Sequence, residues 1–166
     1  MFFWFLGTAA TTVWFVFRDD RFDYRVLFLG AVLADIVDLP FGGARVFHSV
    51  TASVALLAVV MGATINRREA RRRWLALPIG TFLHLVFDGA FADPRVFWWP
   101  FGGFGFGDAP LPSIDRGSVS LVLEVVGIAL LVRLWRMHGL GDASVRAAFL
   151  RDGRLVHPQD PPVGTC

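Results

Sequence analysis

Residues Ser118–Met137, SVSLVLEVVGIALLVRLWRM, form an apolar run with a single acid, Glu124. No period-two alternation runs through it, so it does not read as a barrel strand. A helix is the way such an isolated segment satisfies its backbone in lipid, and about 17–25 residues suffice to cross a bilayer. Four further apolar runs precede it, at residues 2–17, 24–39, 47–65 and 74–92. Pro78, one turn into the fourth, is compatible with a helix start or a mild kink. The pattern predicts an all-α protein, an integral membrane bundle of about five transmembrane helices.

Composition agrees with this reading. Of 166 residues, 55% are hydrophobic, with 17 Phe and 6 Trp, and only 18% are charged, clustered between the runs. A soluble domain of this size does not need so many continuous apolar segments. The formal net charge of +2 is too small to point to nucleic acid. The single cysteine, Cys166, excludes an intramolecular disulfide and a cysteine-based zinc site. The first run lacks a positively charged flank and a small-residue cleavage site, so it is expected to be a retained helix.

All 16 basic residues are arginine, and their placement orients the bundle. If all five runs cross, thirteen arginines fall on one side and only Arg45, Arg95 and Arg116 on the other. The positive-inside rule then puts the N-terminus outside and the C-terminus in the cytoplasm. Residues 1–138 are expected to be the transmembrane domain and 139–166 a cytoplasmic tail. The loop at 93–117, carrying Phe97-Trp98-Trp99-Pro100-Phe101, is expected to lie along the outer interface as a rim or lid.

Histidines and carboxylates gather at one set of helix ends. Ionisable groups inside apolar segments need partners, and a metal is a natural shared one. His84 and Asp88 are spaced i, i+4 on one helix face, suited to joint ligation or to an aspartate orienting a ligating imidazole. A hydrogen bond that helps two helices pack is the structural alternative. Asp35 and Asp38, spaced i, i+3, repel unless a cation or proton intervenes; Asp38 also reads as an ordinary helix-end residue. His48 follows a turn containing Arg45, whose guanidinium suits either phosphate or anchoring at the interface. Ser49 and Thr51 read as caps or packing residues, with no hydrolase elbow around them. Glu124 reads as a ligand, a general base or an inter-helix hydrogen-bonding group. Asp93, Asp108 and Asp115 lie in the loop and are expected to be solvated, and His138 and His157 lie away from the site. The glycine-rich stretch 102–107 lacks the strand, helix and lysine of a nucleotide loop.

The stretches Ala34-Asp35-Ile36-Val37-Asp38, Gly43-Ala44-Arg45-Val46-Phe47-His48-Ser49 and His84-Leu85-Val86-Phe87-Asp88 together resemble the bacterial and archaeal membrane-bound predicted metal-dependent hydrolases. The resemblance covers roughly residues 27–100. The chain departs from the family pattern at Ala34, where proline is common, and before Arg45, where a second histidine is common. The last stretch is also distantly similar to the zinc phospholipase C and P1 nuclease group. The resemblance implies a protein of the inner membrane that hydrolyses a phosphoester of a lipid or amphiphilic substrate. Asp35, His48, His84 and Asp88 are then the expected ligands of a divalent metal, Zn²⁺ or else Mn²⁺ or Fe²⁺. Asp38 and Glu124 are the expected fifth ligand or base, and Arg45 the phosphate-holding residue. The alternative expectation is a non-catalytic membrane scaffold with a structural polar or metal-bound core.

Overall fold

Capping residues set the helix boundaries. In the computed structural model, which describes residues 1–19, 21–105 and 117–155, α1 (Phe2–Phe17) is followed by α2 (Tyr24–Asp38). The Asp23 carboxylate starts α2 by accepting the N–H groups of Arg25 and Val26 at 3.1 and 3.4 Å. A 3-10 turn, Leu39–Phe41, follows and closes on Gly42 in the left-handed region (φ 78°). After a second 3-10 turn, Val46–His48, the Ser49 hydroxyl caps α3 (Val50–Ala63) by accepting from the Ala52 N–H at 3.1 Å. The arginine-rich α4 (Arg68–Trp74) leads into α5 (Ala76–Asp88). Pro78 sits in the first turn of α5, where its missing N–H costs nothing. Gly89, at φ 69°, ends α5. A 3-10 turn (Ala90–Ala92), the short α6 (Pro94–Phe97), α7 (Ser118–Met137) and α8 (Ala143–Asp152) complete the described chain.

Two glycine contacts organise the packing. A Cβ on Gly30 of α2 would strike the backbone of Leu77, and one on Gly80 of α5 would strike the backbone of Leu27 and Ala31. Backbone thus meets backbone along the α2–α5 seam, and the Thr81 hydroxyl donates to the Gly30 carbonyl at 3.2 Å. Gly7 of α1 and Gly127 of α7 meet in the same way. Helix α1 also lies on α2 and α5, and α3 lies on α5. Phe5, Ala9 and Val13 of α1, Leu27 and Ala31 of α2, and Leu134 of α7 share the buried core.

The all-helical expectation holds for the described residues, but five membrane spans are not supported. Among the described residues, only α7 is long and apolar enough to cross a bilayer. Helices α1, α2, α3 and α5 have 16, 15, 14 and 13 residues. At about 1.5 Å per residue they reach roughly 20–24 Å, against about 30 Å of hydrocarbon. The reason is local. Helices α1 and α2 are as short as their apolar runs, while the Ser49 cap starts α3 inside the third run and the left-handed Gly89 ends α5 before the fourth run does.

Residues after 138 are part of the same body as far as they are described. Leu140 and Leu155 are buried in the common core. The Tyr24 N–H donates to the Gly153 carbonyl at 2.8 Å, and Arg25 donates to the carbonyls of Leu150 and Arg151 at 2.6 and 2.8 Å. Asp108, Asp115 and Arg116 of the 93–117 segment, and His157 with the residues to Cys166, lie outside the described residues.

Candidate metal centre

At the far end of the α2–α5 seam, three side chains converge. Asp35 comes from the last turn of α2, His48 from the 3-10 turn before α3, and His84 from α5. His48 Nε2 lies 3.4 Å and His84 Nε2 3.6 Å from Asp35 Oδ1. All three atoms lie within 4.8 Å of one another. The two imidazole rings stand edge to face with centroids 5.3 Å apart.

The other ring nitrogen of each histidine is already committed. His84 Nδ1 is 2.7 Å from the Ala31 carbonyl. A carbonyl only accepts, so Nδ1 carries the proton and Nε2 of the neutral ring presents a lone pair. His48 Nδ1 is 2.8 Å from Asp38 Oδ2, and because a carboxylate accepts, this Nδ1 too carries a proton. Asp38 also accepts the backbone N–H groups of Arg45, Phe47 and His48 at 2.9, 3.4 and 3.2 Å. Asp38 therefore pins the turn that presents His48 and sets its tautomer.

Three potential ligand atoms then face one another. Asp35 Oδ1, His48 Nε2 and His84 Nε2 are buried and without a hydrogen-bond partner, and their separations exceed the usual 2.7–3.2 Å of such bonds. Left alone, such a group is costly. Two ligand atoms each about 2.1 Å from one tetrahedral ion lie about 3.4 Å apart, close to the 3.4 and 3.6 Å found here. The buried Asp35–His48–His84 group could hold a metal ion, and the oxygen acceptors behind the two rings are of the kind to which a ligating histidine donates its other N–H.

Access is one-sided. Both histidines are fully buried, with Phe5 of α1 packed on the His84 ring at 4.0 Å between centroids. Asp35 keeps 27% of its side chain exposed. Ile36, Leu39 and Phe41 around it are exposed apolar residues.

The remaining expected site residues are not among the three converging atoms. Asp88 is fully buried one turn beyond His84, has an interaction of its own and is not among the converging atoms. Arg45 donates to the Phe41 carbonyl at 3.1 Å across its turn. Glu124 accepts the N–H groups of Phe3 and Trp4 at 2.7 and 3.2 Å, capping the start of α1. Ser49 acts as a cap, as expected. Three contributors had no signature in the residue types that carry chemistry: the Ala31 carbonyl, the Phe5 ring, and the Gly30–Gly80 contact that sets Asp35 against His84. Only the glycines inside apolar helices could have pointed to that seam.

Fold and site together define an all-helical protein with a buried Asp–His–His group suited to a metal ion. No protein-family model matches the chain, and neither a curated protein nor a solved structure matches it.

Proposed function

We propose that this chain is a membrane-embedded, metal-dependent hydrolase acting on a phosphoester of a lipid or other amphiphilic substrate. The observation that carries this reading is the convergence of His48 Nε2 and His84 Nε2 on Oδ1 of the partly exposed Asp35. Asp35, His48 and His84 would hold one divalent ion, zinc first and manganese or iron as alternatives, since imidazole and carboxylate ligands suit these. When bound, such an ion lowers the pKa of its water toward about 7 and so supplies hydroxide at neutral pH. Asp38 and the Ala31 carbonyl hold the Nδ1 protons and keep both Nε2 atoms turned inward. Arg45 is half-buried on the turn that carries His48 and offers a guanidinium fork suited to phosphate. The exposed Ile36, Leu39 and Phe41 beside Asp35 favour a substrate that arrives from an apolar phase.

A bilayer is the proposed surrounding. Helix α3 carries no charged residue and α7 only Glu124, Arg133 and Arg136, yet of their residues only Ser53 and Val60, and Gly127 and Leu134, are buried within the protein. Exposed apolar faces of that extent call for a covering phase. We place the bundle in the inner membrane of a bacterial or archaeal cell, with its arginine-rich end in the cytoplasm. The Asp–His–His group then lies toward the outer face. The alternative, a non-catalytic scaffold with a structural metal core, is favoured by the sealing of both imidazoles and opposed by the exposure of Asp35.

The test is the metal content of untagged protein in detergent, read by elemental mass spectrometry, for the wild type and for His84→Ala and Asp35→Ala. Near-stoichiometric metal lost in both variants, with hydrolysis of a lipid phosphoester, is the expected result. Metal without turnover moves the reading to the scaffold. No metal after reconstitution with zinc, manganese and iron overturns the metal centre.

A further inference from the structure

We infer that the arginine-lined cleft at the opposite end of the bundle binds the phosphate group of an anionic lipid. This cleft, about 370 Å³, lies between the start of α2, helix α4 and the end of α8. Asp23 and Asp35 are 12 residues apart on or beside α2, about 18 Å at 1.5 Å per residue, so the cleft is separate from the Asp–His–His group.

Charge accounting leaves a surplus. Six arginines (21, 25, 72, 73, 151 and 154) face three acids, Asp23, Glu69 and Asp152. Asp23 is taken by Arg25 at 2.9 Å and by Arg73 at 3.1 Å. The rest of the Arg25 guanidinium is bound to the carbonyls at the end of α8. Asp152 pairs with Arg151 at 3.1 Å. Arg21, Arg72 and Arg154 carry the positive excess.

A second observation points to a ligand. Among the described residues Arg72 Nη1 has no hydrogen-bond partner, and Arg72 Nε lies 4.0 Å from Asp19, on a side chain that is 41% exposed. A donor without an acceptor is unfavourable, and a phosphate oxygen satisfies it with charge assistance. The rim favours a lipid as the source. Trp74 of the cleft, Leu150 beside it and Phe17, whose ring stacks on Phe22 next to Arg21, are all exposed. A headgroup phosphate between arginines with its chains on these side chains satisfies both surfaces.

The experiment is equilibrium binding to the full chain in neutral detergent, with short-chain phosphatidic acid, short-chain phosphatidylcholine and inorganic phosphate as separate probes. Arg21→Gln/Arg154→Gln alters two exposed side chains and is expected to leave folding intact; Arg72→Gln is the second variant. Saturable binding of phosphatidic acid, weakened about tenfold in either variant, is expected. Arg133→Gln/Arg136→Gln, the same charge loss outside the cleft, should leave it unchanged. Equal weakening in that control pair, or no saturable binding by the wild type, overturns the site. Inorganic phosphate binding as tightly as the lipid overturns the lipid source. Metal content plays no part in these readouts, so the cleft and the metal centre stand or fall separately.

Discussion

His48 and His84 each use Nδ1 on a fixed acceptor, which leaves their Nε2 atoms as the only ring positions available to Asp35. Asp38 is therefore a positioning residue, acting through His48 and through the turn whose N–H groups it collects. Asp38→Asn should lower metal affinity about 10–100-fold while the helical content stays constant; competition with a chromogenic chelator, alongside circular dichroism, measures both. Glu124 belongs to a different unit. Its carboxylate caps α1, so Glu124→Ala should cost about 1 kcal/mol of stability and leave metal content unchanged. Loss of metal in that variant would return Glu124 to the site. At the other end of the bundle, burial opposes the charge on Asp23, but the hydrogen bond and charge of Arg25 outweigh it and hold the carboxyl below its usual value of 3.8. A depressed folded-state pKa means stabilisation that is complete above 3.8 and lost as pH falls through the folded value. The melting temperature of Asp23→Ala should lie below that of the wild type at pH 6, with the gap closing as the pH is taken below 3.8.

Among elements, the α2–α5 pair decides where the ligands meet. Its two backbones touch at Gly30 and Gly80, and Asp35 and His84 sit five and four residues further along. Gly80→Ala pushes a methyl group into the backbone of Leu27 and Ala31. It should destabilise by about 1–3 kcal/mol and weaken metal binding as well. Gly62→Ala in α3 meets nothing within 4 Å and should be neutral or stabilising by up to about 1 kcal/mol. Gly127→Ala jams α1 against α7 and should lower stability while sparing the metal centre. Melting curves and metal titrations on the three variants check this, and equal metal loss in Gly127→Ala would show that the seam is not specific to the site.

At the scale of the whole molecule, the apolar residues form two populations. One fills the core between α1, α2 and α5. The other covers the outside, with Val122, Val125 and Leu121 of α7 and Val54 and Val59 of α3 all more than half exposed. A chain with that exterior should stay with the membrane pellet after an alkaline carbonate wash and leave it only with detergent. Recovery as a monodisperse species in plain buffer would remove the bilayer from the proposal. The arginines follow the same polarity: loops distant in sequence bring them together in one cleft, at the end of the bundle opposite the Asp–His–His group.

The sequence alone carried the helical class, because hydrophobicity without period-two alternation is a local property. The bounds of α1 and α7 coincide with their apolar runs. It also carried the polarity of the chain, with Asp35, His48 and His84 at one end and the arginine clusters at the other. Helix lengths were less legible, since the apolar runs continue through Ser49 and Gly89 while the helices do not. The tertiary structure decided which acid faces the histidines: Asp35 does, Asp38 stands behind His48, and Glu124 serves α1. The physical reason is that this choice depends on the register and separation of α2 and α5. These are set by backbone contact at two glycines, which along one chain look like any other small residues in an apolar helix.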